Sequence, residues 1–232
     1  MHVTAIIVAA GAGRRIGGAT AKTYLPIAGR PLILRTLDRI FATPAVSDVV
    51  LVVASADLEY CRDLLNADAS LNGRAYALQA GGATRQQSVR YGLEKLAKAT
   101  DMVMIHDGAR PFVSSALIDR CIQAAVVKGA AVVGLPVRDT IKRVGADGCV
   151  QSTPERAGLW EIQTPQIFQR DLIVAAHDWA LRQGIVATDD AMVVERMGKP
   201  VFAVEGERSN FKITVPEDLQ LAEAMIRAGI VA

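Results

Sequence analysis

Short apolar runs rich in β-branched residues alternate along this chain with longer amphipathic stretches, and that alternation restricts the fold more than any other feature. Val3 to Val8, Val49 to Val53, Ala75 to Leu78, Met102 to Ile105, Ala130 to Leu135 and Val201 to Val204 have the length and character of buried strands. Between them, Pro31 to Phe41, Leu58 to Asn66, Gln86 to Lys98, Ala116 to Val127, Leu172 to Arg182, Asp189 to Arg196 and Glu217 to Ile226 space their apolar residues three and four apart, as one face of a helix requires. The pattern predicts an α/β fold, a single-domain, Rossmann-like, mostly parallel sheet with helices on both faces. Thr214-Val215-Pro216-Glu217 has the form of a capping box with proline at the first helical position, which marks the start of the last helix.

Sheets of this kind bind ligands at the carboxyl ends of their strands, where the strand order reverses. The segments that leave strands here are Gly11 to Lys22, Gly81 to Arg85, His106 to Pro111 and Pro136 to Thr140, all polar or glycine-rich. They are expected to converge on one edge.

The first of them is the most chemically explicit. Ala9-Ala10-Gly11-Ala12-Gly13-Arg14-Arg15 follows the first strand, and Lys22 comes shortly after. Gly11 and Gly13 can bring bare backbone N–H groups close to an anion, while the basic side chains add full positive charge. The run is not a dinucleotide fingerprint, because Ile16 stands at the third glycine position, and it is not a Walker loop, because no Gly-Lys-Ser or Gly-Lys-Thr follows. Taken alone it also admits the plainer reading of a tight β-to-α turn with solvated arginines.

Composition narrows the rest. A chain of 232 residues that is 51% hydrophobic and 22% charged can bury about 70 to 75% of its unfolded surface, so it needs neither disulfide nor structural metal. Its formal net charge of +2, with scattered Lys and Arg, gives no extended footprint for nucleic acid. Cys61, Cys121 and Cys149 lie far apart and form no C-x-x-C pair, the usage of a reducing, cytoplasmic compartment. The N-terminal apolar run lacks a basic lead and breaks at Gly11, unlike a signal peptide, and no stretch approaches the roughly 20 apolar residues of a membrane span.

One segment departs from the rhythm. Residues 138 to 151 alternate polar with apolar residues around Asp147-Gly148, the signal of a β-hairpin. An isolated two-stranded ribbon is marginal in water, so the arm, about 138–156, is expected to pack either on the edge of its own sheet or, the preferred reading, on a second copy of the chain.

Several blocks taken together carry a resemblance: Ala9 to Arg15, Lys22-Thr23-Tyr24-Leu25, Gly81 to Val89, His106-Asp107-Gly108-Ala109-Arg110-Pro111, Pro136 to Lys142, Thr164-Pro165-Gln166 and Asn210 to Thr214. In this order, over nearly the whole length, they resemble the 2-C-methyl-D-erythritol 4-phosphate cytidylyltransferases of the non-mevalonate isoprenoid pathway. The resemblance implies an enzyme that joins CTP to a methylerythritol phosphate with release of pyrophosphate, using Mg2+ held mainly by the CTP phosphates, and that works as a homodimer through its arm. It implies that Arg15, Lys22 and Lys212 are catalytic. Ala9, Ala10, Gly11, Ala12, Gly13, Gly81, Gly82 and Ser88 would bind the nucleotide. Asp107, Arg110, Thr164 and Thr188 would bind the sugar alcohol phosphate, with Thr140 and Arg156 delivered by a neighbouring subunit.

Bland readings stand beside some of these. Asp107 also reads as a turn aspartate, Thr188 as a helix cap, Gly81-Gly82 as a turn, Arg14 as solvated, and His106 as a packed strand-end histidine without catalytic work. Lys212, between Phe211 and Ile213, is costly to bury unless an anion meets it. Ala21 stands where the family commonly has proline and Gly108 where it commonly has alanine. The chain stops soon after its last helix, which reads as a form without a cyclase extension. The alternatives are a cytidylyltransferase for ribitol 5-phosphate or another polyol phosphate, and a non-catalytic nucleotide-binding module.

Overall fold

A computed structural model describes residues 1–11 and 21–231. The strands are β1 (Val3–Val8), β2 (Pro26–Ile27), β3 (Arg30–Pro31), β4 (Asp48–Val53), β5 (Tyr76–Ala80), β6 (Met102–Asp107), β7 (Ala130–Pro136), β8 (Arg143–Val144), β9 (Val150–Ser152), β10 (Trp160–Gln169) and β11 (Phe202–Glu205). The α-helices are α1 (Leu32–Phe41), α2 (Leu58–Ala67), α3 (Arg85–Leu93), α4 (Ser115–Lys128), α5 (Arg170–Arg182), α6 (Asp190–Arg196) and α7 (Pro216–Arg227).

Seven strands form one sheet in the order β11-β7-β10-β6-β1-β4-β5. Every pairing is parallel except those of β10, which runs antiparallel between β6 and β7. Because strands alternate their side chains, β1 sends Val3, Ala5 and Ile7 to one core and Ile6 to the other. The first core receives Leu34, Leu37 and Ile40 of α1, Cys61 and Leu65 of α2, and Leu117 and Cys121 of α4. The second receives Val89 of α3, Ile173 and Ala176 of α5, and Val193 and Val194 of α6. A third cluster, built from Ile27, Leu32, Ala109, Phe112, Ile213 and Ala222, seats α7 beside the end of β6.

All the expected strands and helices form, and the differences are instructive. β10 is an addition: Pro165 and the polar Gln163, Thr164 and Gln166 interrupt its apolar pattern, yet all three polar residues are buried because each finds hydrogen-bond partners. α3 ends at Leu93 rather than Lys98. α7 does start at Pro216, but Thr214 is not its cap. The Asp218 carboxylate caps the helix instead, accepting from the N–H groups of Thr214 (2.6 Å) and Val215 (2.9 Å), while the Thr214 hydroxyl donates to the Lys212 carbonyl. The hairpin forms as β8 and β9, with the Gly145 N–H donating to the Cys149 carbonyl and Gly148 at φ 81°. A left-handed backbone at that corner suits glycine.

Candidate active site

β1 has β4 on one side and β6 on the other, so the strand order reverses there. Backbone hydrogen bonds continue past the strand ends: Ala9 N–H to Val52 O (2.7 Å), Gly81 N–H to Val53 O (2.7 Å) and Gly108 N–H to Val8 O (2.9 Å). They hold three loops side by side. Gly81 is required by this closeness, since a Cβ on it would lie 2.4 Å from the Ala10 Cβ.

A cavity of about 410 Å³ opens at this point, lined by backbone at Ala9, Ala10, Gly11 and Gly82 and by the side chains of Lys22, Arg85, Asp107 and Lys212. A smaller one of about 180 Å³ adjoins it, sharing Arg85, Asp107 and Lys212 and adding Arg110, Thr164 and Thr188. Gly11 and Lys22, the described residues at the two ends of the first strand-end segment, therefore meet the Gly81 and His106 segments here as expected. The fourth, Pro136 to Thr140, borders neither cavity, because β7 lies beyond β10 in the sheet and runs on into the arm.

Asp107 is the hub. Its Oδ2 lies 3.0 Å from Lys212 Nζ and 3.4 Å from Arg110 Nε, and its Oδ1 faces Arg85 Nε at 3.5 Å. Burial alone would raise its pKa, but Lys212, Arg85 and Arg110 hold the carboxyl well below the ordinary carboxylate range. The anion that Lys212 requires is thus supplied by the chain itself, and Lys212 sits in irregular backbone, not a strand. The same segment holds Lys22, whose ammonium donates to the Ile213 carbonyl at 2.9 Å. It is fastened to the end of β6 by Ile213 N–H to Ala109 O and by Arg110 Nη1 to Asn210 O.

His106 and Thr164 support the hub from below. The Thr164 hydroxyl accepts from the Asp107 N–H (3.0 Å) and lies 3.0 Å from His106 Nδ1, while His106 Nε2 lies 3.1 Å from the Arg110 carbonyl. A carbonyl only accepts, so Nε2 carries the proton and Nδ1 accepts from Thr164. Burial pulls His106 down to about 4, which keeps it neutral. A histidine whose folded pKa lies below its ordinary value near 6.5 adds stability above that value, and loses it as pH falls from about 6.5 towards 4. We expect unfolding free energy to drop by about 3 kcal/mol across that window, and His106→Gln to flatten this part of the profile in urea titrations. An equally steep profile in the variant would contradict the assignment.

Among the other expected site residues, Ser88 is buried, its hydroxyl accepting from Gly82 N–H (3.0 Å) and lying 2.9 Å from the Thr84 carbonyl. It braces the glycine loop and also lines the larger cavity. Thr188 is exposed at the rim of the smaller cavity. It does not cap α6, since Asp189 does, accepting from Met192 N–H. Thr140 and Arg156 lie on the arm and line neither cavity, with Arg156 donating to the Arg138 carbonyl. Ala12, Gly13, Arg14 and Arg15 fall outside the described residues. Arg85, given no role from the sequence, stands at both cavities and also pairs with the buried Asp190 at 2.7 Å. Among the described residues no three His, Cys, Asp or Glu side chains gather at metal-binding distance, and no helix is long and apolar enough to cross a membrane.

A switch-point cavity lined by glycine and alanine positions and by basic residues, beside a second charged cavity, suits an α/β enzyme that binds anionic ligands, and the relatives make that class nucleotidyltransferase. A family model described as 2-C-methyl-D-erythritol 4-phosphate cytidylyltransferase matches residues 3–228, and the chain belongs to that family. Relatives given this name include proteins from Caldanaerobacter subterraneus subsp. tengcongensis, 42% identical over 98% of this chain and 100% of the relative, and from Pelotomaculum thermopropionicum, 45% identical over 97% and 94%. The 4-diphosphocytidyl-2C-methyl-D-erythritol synthase structure from Anaerococcus prevotii is similar with a TM-score of 0.84 at 32% identity, covering 97% of this chain and 98% of its own. The cytidylyltransferase structure from Thermus thermophilus gives 0.80 at 36%, covering 98% and 100%.

Proposed function

We infer that this chain joins CTP to 2-C-methyl-D-erythritol 4-phosphate, with the larger cavity taking the nucleotide and the smaller the sugar alcohol phosphate. The observation that carries the reading is the match to the family over residues 3–228, supported by two adjoining cavities that share Arg85, Asp107 and Lys212. A phosphate monoester oxygen attacks the α-phosphorus of CTP. The new P–O bond forms as the bond to the bridging oxygen breaks, and pyrophosphate departs with the electron pair. The second ionisation of such a phosphate lies near pH 6, so the nucleophile arrives deprotonated and no general base is needed, in keeping with a buried His106 whose two ring nitrogens are engaged by Thr164 and the Arg110 carbonyl.

The barrier is then repulsion between anions and charge building on the leaving group, which fixed cations relieve. Lys22 and Arg15 are assigned to the triphosphate, and Lys212, Arg110 and Asp107 to the acceptor. The glycine loop propped by Ser88 admits cytosine against the backbone of Ala10 and Gly82. Mg2+ would be held mainly by the triphosphate oxygens, since it prefers phosphate and water to an all-protein cage, and Asp107, the one carboxylate among the described residues lining the larger cavity, would be the protein group available to it. Burial pushes Cys61 up to about 11 and Cys121 up to about 12, so neither thiol serves as a nucleophile at neutral pH. Free cysteines support a cytoplasmic setting.

The chain is expected to release pyrophosphate from CTP when methylerythritol phosphate and Mg2+ are both present. Equal turnover with ribitol 5-phosphate would support the other polyol phosphate, and CTP binding without turnover on either would support a binding module.

The arm supports a homodimer. Ile141, Val144 and Val150 are exposed there, more apolar surface than a lone ribbon carries comfortably, and Thr140 and Arg156 line neither of the two cavities found among the described residues. Arg156→Ala mixed with Lys22→Ala then regains roughly a quarter of the wild-type rate, because half the dimers are mixed and each of those has one intact site. No regain in verified mixed dimers would count against a shared site.

A further inference from the structure

We propose that Arg85 is a positioning residue for the acceptor: it fixes the plane of the Asp107 carboxylate from a buried anchor at Asp190. The proposal rests on Asp107 being a contact for the sugar alcohol phosphate.

Lys212 and Arg110 both approach Oδ2 of Asp107, at 3.0 and 3.4 Å. Two cations on one oxygen leave rotation about the Cβ–Cγ bond poorly defined, and Lys212 is partly exposed on a flexible stem. Arg85 is the cation placed against Oδ1 among the described residues, at 3.5 Å, so it sets the orientation of the pair of oxygens. A guanidinium can do this because its planar fork serves two carboxylates at once. While Nε faces Asp107, Nη1 donates to Asp190 Oδ2 at 2.7 Å.

The anchor is itself held. Asp190 is 1% exposed, its Oδ1 lies 3.1 Å from His177 Nε2, and its N–H donates to Gln166 Oε1 at 3.1 Å. Gln166 also donates to Asp189, which caps α6. From the other side, Thr84 caps α3 at Gln87 N–H, which fixes Arg85 at the first position of that helix. A basic residue there opposes the helix dipole, a placement that calls for carboxylate partners, and both partners are present. An error of about 1 Å in a positioning group can cost on the order of a hundredfold in rate, so the plane of Asp107 is worth fixing.

Three variants separate positioning from mere charge compensation. In Arg85→Gln the KM for methylerythritol phosphate should rise about tenfold while that for CTP stays within about threefold. Arg85→Lys is the sharper test, because one ammonium can neutralise Asp190 but cannot reach both carboxylates. It should melt close to wild type yet keep the raised acceptor KM, and it carries the test if Arg85→Gln fails to fold. Asp107→Asn, measured well below its melting temperature, checks the premise: an unchanged acceptor KM there overturns the role of Asp107. A raised acceptor KM in Asp107→Asn with a wild-type value in Arg85→Lys overturns the role of Arg85. So does an equal rise for both substrates in Arg85→Gln.

Discussion

Replacing Lys22 with alanine is expected to lower turnover by about two to three orders of magnitude, the scale for losing one preorganised electrostatic contact. Its ammonium is held in place before any ligand arrives, donating to the Ile213 carbonyl at 2.9 Å at the wall of the 410 Å³ cavity. That preorganisation is what separates it from a surface lysine. A unit charge pair at about 4 Å is worth ~1 kcal/mol in bulk water but ~4 kcal/mol at an effective dielectric of 20, so a cation in a cleft partly closed by protein acts with several times the force. The loss should fall mainly on kcat, because charge accumulates on the departing pyrophosphate in the transition state. Steady-state pyrophosphate release measures this directly. A variant with near-normal kcat would remove Lys22 from the machinery.

Asp107→Asn should cost both stability and activity. In the folded chain this carboxylate answers Arg85, Arg110 and Lys212, and removing its charge leaves cations facing one another across a largely buried space. Breaking a buried pair in this way costs about 3 to 5 kcal/mol, discounted here towards the lower figure because Lys212 is partly exposed. For a chain of this size that is a fall of roughly 6 to 12 °C in melting temperature. The pH dependence follows the same balance. A carboxylate held below its ordinary pKa adds stability above about pH 4 and loses it as pH falls below that value, so the variant should lose this acid limb of the wild-type profile. Thermal melts below pH 4, outside the window in which His106 titrates, would show it, and a limb retained in full would place the responsible carboxylate elsewhere. Turnover should fall with the loss of the acceptor contact.

The alternation that announced the sheet was readable because parallel strands are apolar on both faces and leave little room for another pattern. Thr4 is the exception that shows the rule, its hydroxyl paired with that of Thr100 at 2.8 Å. β10 was hidden for the opposite reason: it is an antiparallel strand whose buried polar residues serve as structural hydrogen-bonding groups, and Pro165 disguises it further. In the site, the glycine loops and the Asp107 segment each admit a turn reading alone, and become legible because they follow strands and recur in order with the other blocks. Asp189 and Asp190 carry the same signal in the sequence, although one caps a helix and the other is buried against His177 and Arg85. Arg85 did leave a trace, a basic residue where a helix dipole disfavours it. Lys212 signals the need for an anion, and the partner it has in the structure is Asp107, far back in the chain, which no local spacing discloses.

The central claim is that one edge of the sheet gathers cations to bring two anions together at neighbouring cavities. A crystal structure of the chain with CTP, Mg2+ and methylerythritol phosphate tests it most directly. The triphosphate should run past Ala9 to Gly11 with Lys22 against it, and the acceptor should lie against Asp107, Arg110 and Lys212. Either ligand bound instead on the opposite edge of the sheet, away from Lys22 and Asp107, would contradict the account.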